Sequence, residues 1–309
     1  MQGEQLMICT DGQVRTKVEN AIKRLQSFEP PEGYYVAFSG GKDSQCIYHL
    51  CQMAGVKFDA HYNVTSVDPP ELVQFIKRQY PDVIFDLPRN AEGKQITMWN
   101  LIPKKDMPPT RLARYCCAEL KECNGEGRVV ITGVRWAESP RRKAANDVAS
   151  IKGKPKATEN MAQELGADYR INKSGALVLN DDNDPARRMV ENCYRTQKVL
   201  VNPIVDWETE DVWAYLNEIA KVPHCCLYDQ GFERLGCIGC PMSAHAKEEL
   251  DRWPKYKELY LRAFALMIKA REEAGKDNLH PQDWSTPEKV MAWWLQGKKR
   301  RNEHGLDQR

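Results

Sequence analysis

The sequence predicts an α/β fold, a sheet flanked by helices with a helical C-terminal appendage. Three observations lead there. Short apolar runs alternate with stretches of helical spacing from residue 14 to residue 219. A glycine turn at 39–44 joins one of those runs to a helix. Beyond residue 250 helical spacing alone remains.

Taken in order, Val14, Val18, Ile22 and Leu25 recur at helical spacing, and Pro30-Pro31 ends that helix. Residues 34–38 (Tyr-Tyr-Val-Ala-Phe) lack polar alternation, as in a parallel strand buried on both faces. Cys46, Ile47, Leu50 and Cys51 mark the helix after the turn. A strand at 61–67, a helix at 70–80 opened by Pro-Pro, and short strands at 83–87 and 128–132 continue the alternation. Residues 143–198 are charged and show little periodicity, which reads as an insertion or active-site flap. A strand at 199–205 and a helix at 209–219 follow. Residues 223–242 form a loop rich in Cys and Gly. A long helix carries Trp253, Tyr256, Tyr260, Phe264, Met267 and Ile268 on one core-facing stripe and stops at Gly275, and 287–295 make the last helix.

Composition narrows the function. Forty-five basic against 43 acidic residues give +2, so no global field draws in a polyanion, and nucleic-acid contact would need local patches. Arg141–Lys143, 152–156 and 298–301 are such patches, although solvated surface charge explains them as well. No run nears the roughly 18 apolar residues of a membrane span, and the N-terminus is polar. A soluble, cytoplasmic protein without membrane contact is expected. Eleven cysteines in such a compartment suggest a metal or an iron–sulfur cluster rather than disulfides.

The turn Ser39-Gly40-Gly41-Lys42-Asp43-Ser44 carries the first chemistry. Two glycines let backbone N–H groups approach an anion, and the following helix adds its positive end. Lys42 offers a point charge, the Ser39 and Ser44 hydroxyls can donate to phosphate oxygens, and Asp43 could hold Mg²⁺. It is not a Walker A loop, since Val36 stands where the first glycine belongs. After the 128–132 strand come Gly133 and Arg135, then Ser139 and Arg142; guanidinium groups suit phosphate or sulfate. Cys116-Cys117 and Cys237-Ile-Gly-Cys240 suit an iron–sulfur cube better than a tetrahedral zinc site. Cys9, Cys46, Cys51, Cys123 and Cys193 read as structural.

These motifs carry a resemblance. Ser-Gly-Gly-Lys-Asp-Ser after an apolar strand resembles the PP-loop of the adenine nucleotide α-hydrolase superfamily. Gly133-x-Arg135-x-x-x-Ser139-x-x-Arg142 is similar to the substrate-binding motif of the phosphoadenosine phosphosulfate reductase family. The tandem cysteines with a distant Cys-x-x-Cys-Pro resemble the [4Fe–4S] site of its adenylylsulfate reductase branch, and 202–213 and 227–237 also look like that family. The resemblance implies a Rossmann-like adenine nucleotide α-hydrolase fold with a parallel five-stranded sheet. It divides the chain into a PP-loop domain at 1–222 and a cysteine-rich and helical region at 223–309. Ser39, Gly40, Gly41, Lys42, Asp43, Ser44, Thr65 and Gly133 are the nucleotide-binding candidates, with Lys42, Asp43 and Arg135 as catalytic ones. Arg135, Ser139 and Arg142 would hold the substrate anion, and Cys116, Cys117, Cys237 and Cys240 the [4Fe–4S] cluster.

Two reactions are implied. One is an ATP pyrophosphatase in thiolation or phosphorothioation of a nucleic acid, with a sulfur donor such as a cysteine desulfurase. The other is a reductase of adenylyl sulfate or its 3′-phosphate, using a thiol reductant and releasing sulfite. A non-catalytic nucleotide- or cluster-binding protein is a third reading. Assimilatory reductases resemble one another in a C-terminal Glu-Cys-Gly-type segment. Residues 302–309 read Asn-Glu-His-Gly-Leu-Asp-Gln-Arg, and the last cysteine is Cys240, so Cys225 and Cys226 are the spare thiols.

Overall fold

In a computed structural model, residues 2–153, 155–279 and 281–296 are described. The basic tail at 298–301 and the Cys9 side chain lie outside them. The apolar run after Gly33 forms β1 (Tyr34–Ala37) and the turn opens directly into the helix Lys42–Ala54. The remaining strands are β2 (Phe58–Asn63), β3 (Ile84–Asp86), β4 (Val129–Ile131), β5 (Ala149–Lys152), β6 (Tyr169–Ile171), β7 (Leu177–Leu179) and β8 (Lys198–Val201).

These make one eight-stranded sheet in the order β3-β2-β1-β4-β8-β5-β7-β6. β1 pairs parallel with β2 and β4, and β4 parallel with β8. The parallel strands β2, β1, β4 and β8, with β3 next to β2, therefore stand where the expected sheet would be. The number of strands is larger because 143–198 is not a plain flap. It supplies β5, antiparallel to β8, and then β7 and β6, again antiparallel. Ala149, Ile151 and all of Leu177, Val178 and Leu179 are buried, which gives these short strands their place in the core. The 61–67 strand is shifted to 58–63, and the 209–219 helix becomes Thr209–Ala214 followed by a π-helical stretch, Tyr215–Ala220.

Two compact units divide the described chain. The first comprises Met1–Tyr62, Glu71–Phe85 and Asn124–Leu235, and its core runs through Tyr34, Val36, Ile47, Leu50, Ile131, Val201 and Trp207. The second comprises Asn63–Pro70, Asp86–Cys123 and Gly236–Arg309. Its long helix, Pro254–Glu273, buries Tyr260, Phe264, Met267 and Ile268, four members of the predicted stripe. Tyr260 packs at a tilt against Trp294 of the helix Pro287–Gln296, ring centroids 4.8 Å apart, and Trp294 Nε1 donates to the Pro109 carbonyl at 2.7 Å. Among the described residues no helix is long and apolar enough to cross a membrane.

Candidate functional site

In the first unit the glycine turn sits at the C-terminal end of β1, the edge where open α/β sheets bind ligands. Gly40 needs its lack of a side chain twice over. Its φ is +71°, and a Cβ there would lie 2.7 Å from Ile76 Cδ1 and 2.8 Å from Leu72 Cδ1. The Ser39 N–H donates to Ser44 Oγ at 3.1 Å, and Ser44 Oγ–H donates to the Gly41 carbonyl at 2.9 Å. The two serines thus brace the turn itself.

Lys42 opens the helix and is 4% exposed; Arg135 is 2% exposed. Asp43 stands between them, accepting from Arg135 Nε at 2.7 Å and facing Lys42 Nζ at 3.5 Å. Arg135 Nη1 also donates to the Trp207 carbonyl at 3.1 Å. Gly133 allows the approach, since a Cβ on it would lie 3.0 Å from Asp43 Cβ. Both carboxylate oxygens of Asp43 thus face cations. Lys42 and Arg135 line a cavity of about 710 Å³.

The expected anion fork is only partly assembled. Ser139 caps the helix Pro140–Ala145, its Oγ accepting the Arg142 N–H at 3.2 Å. Arg142 Nε pairs with Glu138 at 3.1 Å. Among the other residues that line the cavity, none of them a candidate from the sequence, are Glu138, Trp213, Tyr228 and Arg234. Tyr228 Oη accepts the Lys42 N–H at 2.8 Å, and the Glu233 carbonyl accepts from Lys42 Nζ at 3.3 Å. Burial pushes the Tyr228 phenol well above the usual tyrosine range. Trp213 holds it edge-on, with ring centroids 4.9 Å apart. Trp213, Tyr228 and Arg234 fall in the 210–213 and 227–237 stretches that look like the family, and Glu138 lies between the motif residues Arg135 and Ser139, but neither likeness says what these side chains touch.

The second unit gathers all four candidate cysteines and Thr65. Cys116 and Cys117 lie at the start of the short helix Tyr115–Leu120. The hydrogen bond from Cys116 lowers the Cys117 thiol, and Arg114 Nη2, 3.4 Å from its Sγ, lowers it further. That same bond, with burial, raises Cys116, which also feels Cys237 and Cys240. Burial pushes Cys237 up to about 11 against the pull of Lys121. Lys121, an exposed residue, is raised chiefly by the Cys237 charge. Thr65 lies 3.6 Å from Cys237 Sγ through its Oγ1.

The 237–240 knuckle is braced from several sides. Gly239 has φ +70°, and its N–H donates to Glu249 at 2.8 Å; Tyr260 Oη donates to the Ile238 carbonyl at 3.0 Å, and the Ile238 N–H to the Val67 carbonyl at 2.8 Å. Four thiols in one electrostatic neighbourhood, with two cations against them, is the donor chemistry an iron–sulfur cluster takes. Among the described residues, however, no group of three or more His, Cys, Asp or Glu side chains is arranged to hold a metal ion.

Of the other thiols, Cys46, Cys51 and Cys193 are buried and Cys123 is exposed. In the first unit Cys225 is buried and pushed up to about 11 by that burial, and Cys226 is exposed.

The fold and the turn define an α/β protein with a cavity at the C-terminal edge of its parallel strands, lined by Lys42, Arg135 and Arg234 among several carboxylates. The family model of the phosphoadenosine phosphosulfate reductase domain matches residues 33–243, and the chain belongs to that family. Among curated proteins it is 44% identical over 54 residues to an adenosine 5′-phosphosulfate reductase of Neisseria meningitidis, covering 17% of this chain and 22% of that one. It is 35% identical over 82 residues to an uncharacterised protein of Methanocaldococcus jannaschii, covering 26% and 18%. The chain thus spans about a fifth of the length of these relatives. Among solved structures it is similar to phosphoadenylyl-sulfate reductase from Candida auris in complex with phosphate, with TM-score 0.42 and 16% identity over 74% of this chain and 93% of that one.

Proposed function

We propose that the first unit binds an adenine nucleotide, with its phosphates against the 39–44 turn, Lys42 and Arg135. The observation that carries this is the pair of nearly buried cations lining a cavity of about 710 Å³. A cation withheld from water acts on a phosphate far more strongly than a solvated one. In this reading the chain is an ATP pyrophosphatase in thiolation or phosphorothioation of a nucleic acid. An acceptor oxygen attacks the α-phosphorus, the α–β bridging P–O bond breaks, and pyrophosphate leaves with that electron pair. Lys42 and Arg135 stabilise the charge that grows on the phosphate oxygens, with Mg²⁺ on the nucleotide as an expected companion. Cys116, Cys117, Cys237 and Cys240 hold a [4Fe–4S] cluster, which supplies redox or sulfur-handling chemistry when bound. A sulfur donor such as a cysteine desulfurase completes the scheme.

The family and its named relatives favour a second reading, a sulfonucleotide reductase. There a thiolate attacks the sulfur of adenylyl sulfate or its 3′-phosphate, the nucleotide leaves, and a thiol reductant releases sulfite. Of the two spare thiols, Cys226 is exposed and Cys225 buried and poorly ionised at neutral pH. One assay separates the readings: the chain is given ATP with tRNA or DNA, or adenylyl sulfate with dithiothreitol. Pyrophosphate from ATP is expected; sulfite without pyrophosphate would replace the first reading by the second. Tight binding with neither product would make it a binding protein.

A further inference from the structure

Glu138 is an unexpected lining for a cavity meant to take an anion, because a bare carboxylate there would repel the ligand. It is not bare. Its side chain is 10% exposed and satisfies three donors. One oxygen accepts the Arg135 N–H at 3.2 Å and Arg142 Nε at 3.1 Å; the other accepts Arg234 Nη2 at 3.1 Å. Arg142 and Arg234 are themselves 39% and 69% exposed, so solvent alone would leave both guanidinium groups mobile. Two cations on one carboxylate leave a positive surplus, and charge-assisted contacts of this kind carry direction as well as charge. Arg234 also belongs to the segment whose Tyr228 and Glu233 contact Lys42, so Glu138 ties that segment to the one carrying Arg135.

We propose that Glu138 is the positioning residue of the anion site, holding Arg142, Arg234 and the Arg135 backbone in the geometry that receives the anionic end of the nucleotide. This rests on the nucleotide reading above. It also makes Arg234 a ligand-facing cation, a role that motif spacing does not give it. Glu138 itself touches no reacting atom; it acts through the arginines.

The sign of one substitution tests the idea. Glu138→Gln removes a negative charge from an anion site, so simple electrostatics demands tighter binding. Positioning demands the opposite, and roughly tenfold weaker binding of ATP or adenylyl sulfate is expected by calorimetry. Equal or tighter binding overturns the proposal. In ¹⁵N-arginine-labelled protein, the Arg142 Nε–Hε resonance, assigned through Arg142→Lys, should persist in the wild type and vanish in Glu138→Gln. Its absence from the wild type, or its survival in the variant, also overturns it. Should the wild type bind neither nucleotide, the functional reading fails and the resonance still decides what Glu138 holds. If Glu138→Gln does not fold, the exposed Arg234→Lys serves: weaker binding is expected, and unchanged affinity refutes the proposal. Where both fold, the two losses should be strongly less than additive, and full additivity counts against the idea.

Discussion

Asp43 shows at the scale of one residue how binding and stability become entangled. The turn looks exposed in the sequence, and Lys42 and Asp43 read there as free ligand-facing groups. In the fold Lys42 is buried, and Asp43, its side chain 24% exposed, neutralises the almost fully buried Arg135. Removing one member of such a pair strands the other charge. Asp43→Asn should therefore cost about 2–3 kcal/mol in urea denaturation, somewhat under the usual penalty because Asp43 keeps contact with water. Asp43→Asn combined with Arg135→Met should recover part of that loss and none of the nucleotide affinity. Full stability in the single variant would mean that the pair contributes nothing. Lys42, Asp43, Arg135 and the four cysteines can be singled out as candidates in the sequence because each is a chemically committed residue inside a spaced motif. Tyr228 and Arg234 cannot, since their contacts with Lys42 and Glu138 span some 90 to 190 positions of chain that no local pattern encodes. Glu138 stands three and four positions from Arg135 and Arg142, but only the fold brings Arg234 to it.

Among the elements, the glycine turn and the 143–198 segment teach opposite lessons. The turn was readable because a strand of four residues, two glycines and a helix are all local features. The segment was misread because β5, β6 and β7 are short and lie between charged loops, with no motif like the 39–44 turn beside them to mark a strand. Their partners decide them: Ala149 against Val201 on one side and Leu179 on the other. The turn yields a comparison of two glycines with similar φ. Gly40 (+71°) is crowded by Ile76 and Leu72, whereas Gly55 (+68°), which ends the same helix, has nothing within 4 Å of an added Cβ. Gly55→Ala should cost about 1 kcal/mol, the left-handed penalty alone. Gly40→Ala should exceed it by about 1–3 kcal/mol, because buried side chains must shift. Equal losses in denaturant titrations would show that the turn relaxes freely.

Across the whole molecule the thiols give the sharpest test. They come from two separate stretches of the second unit, 86–123 and 236–309, so a cluster on them would link its folding to metal. Anaerobically purified protein should be brown, with about four irons and four sulfides per chain. Cys237→Ser should remove colour and iron and loosen the second unit, while Cys123→Ser, at an exposed thiol, should change neither. A colourless protein holding one zinc after anaerobic reconstitution would end the iron–sulfur reading. The sheet has a different bearing, on how chains behave when crowded. Both of its rims, β3 and β6, are strands of three residues. A rim that short offers a neighbouring chain very few open N–H and C=O groups to extend. The longer strands, β1, β2, β5 and β8, are all interior, so their backbones are already paired on both sides. Three antiparallel strands thus broaden the sheet while leaving its sticky edge no longer than a hairpin's, and growth by strand addition from one molecule to the next is blunted at both ends.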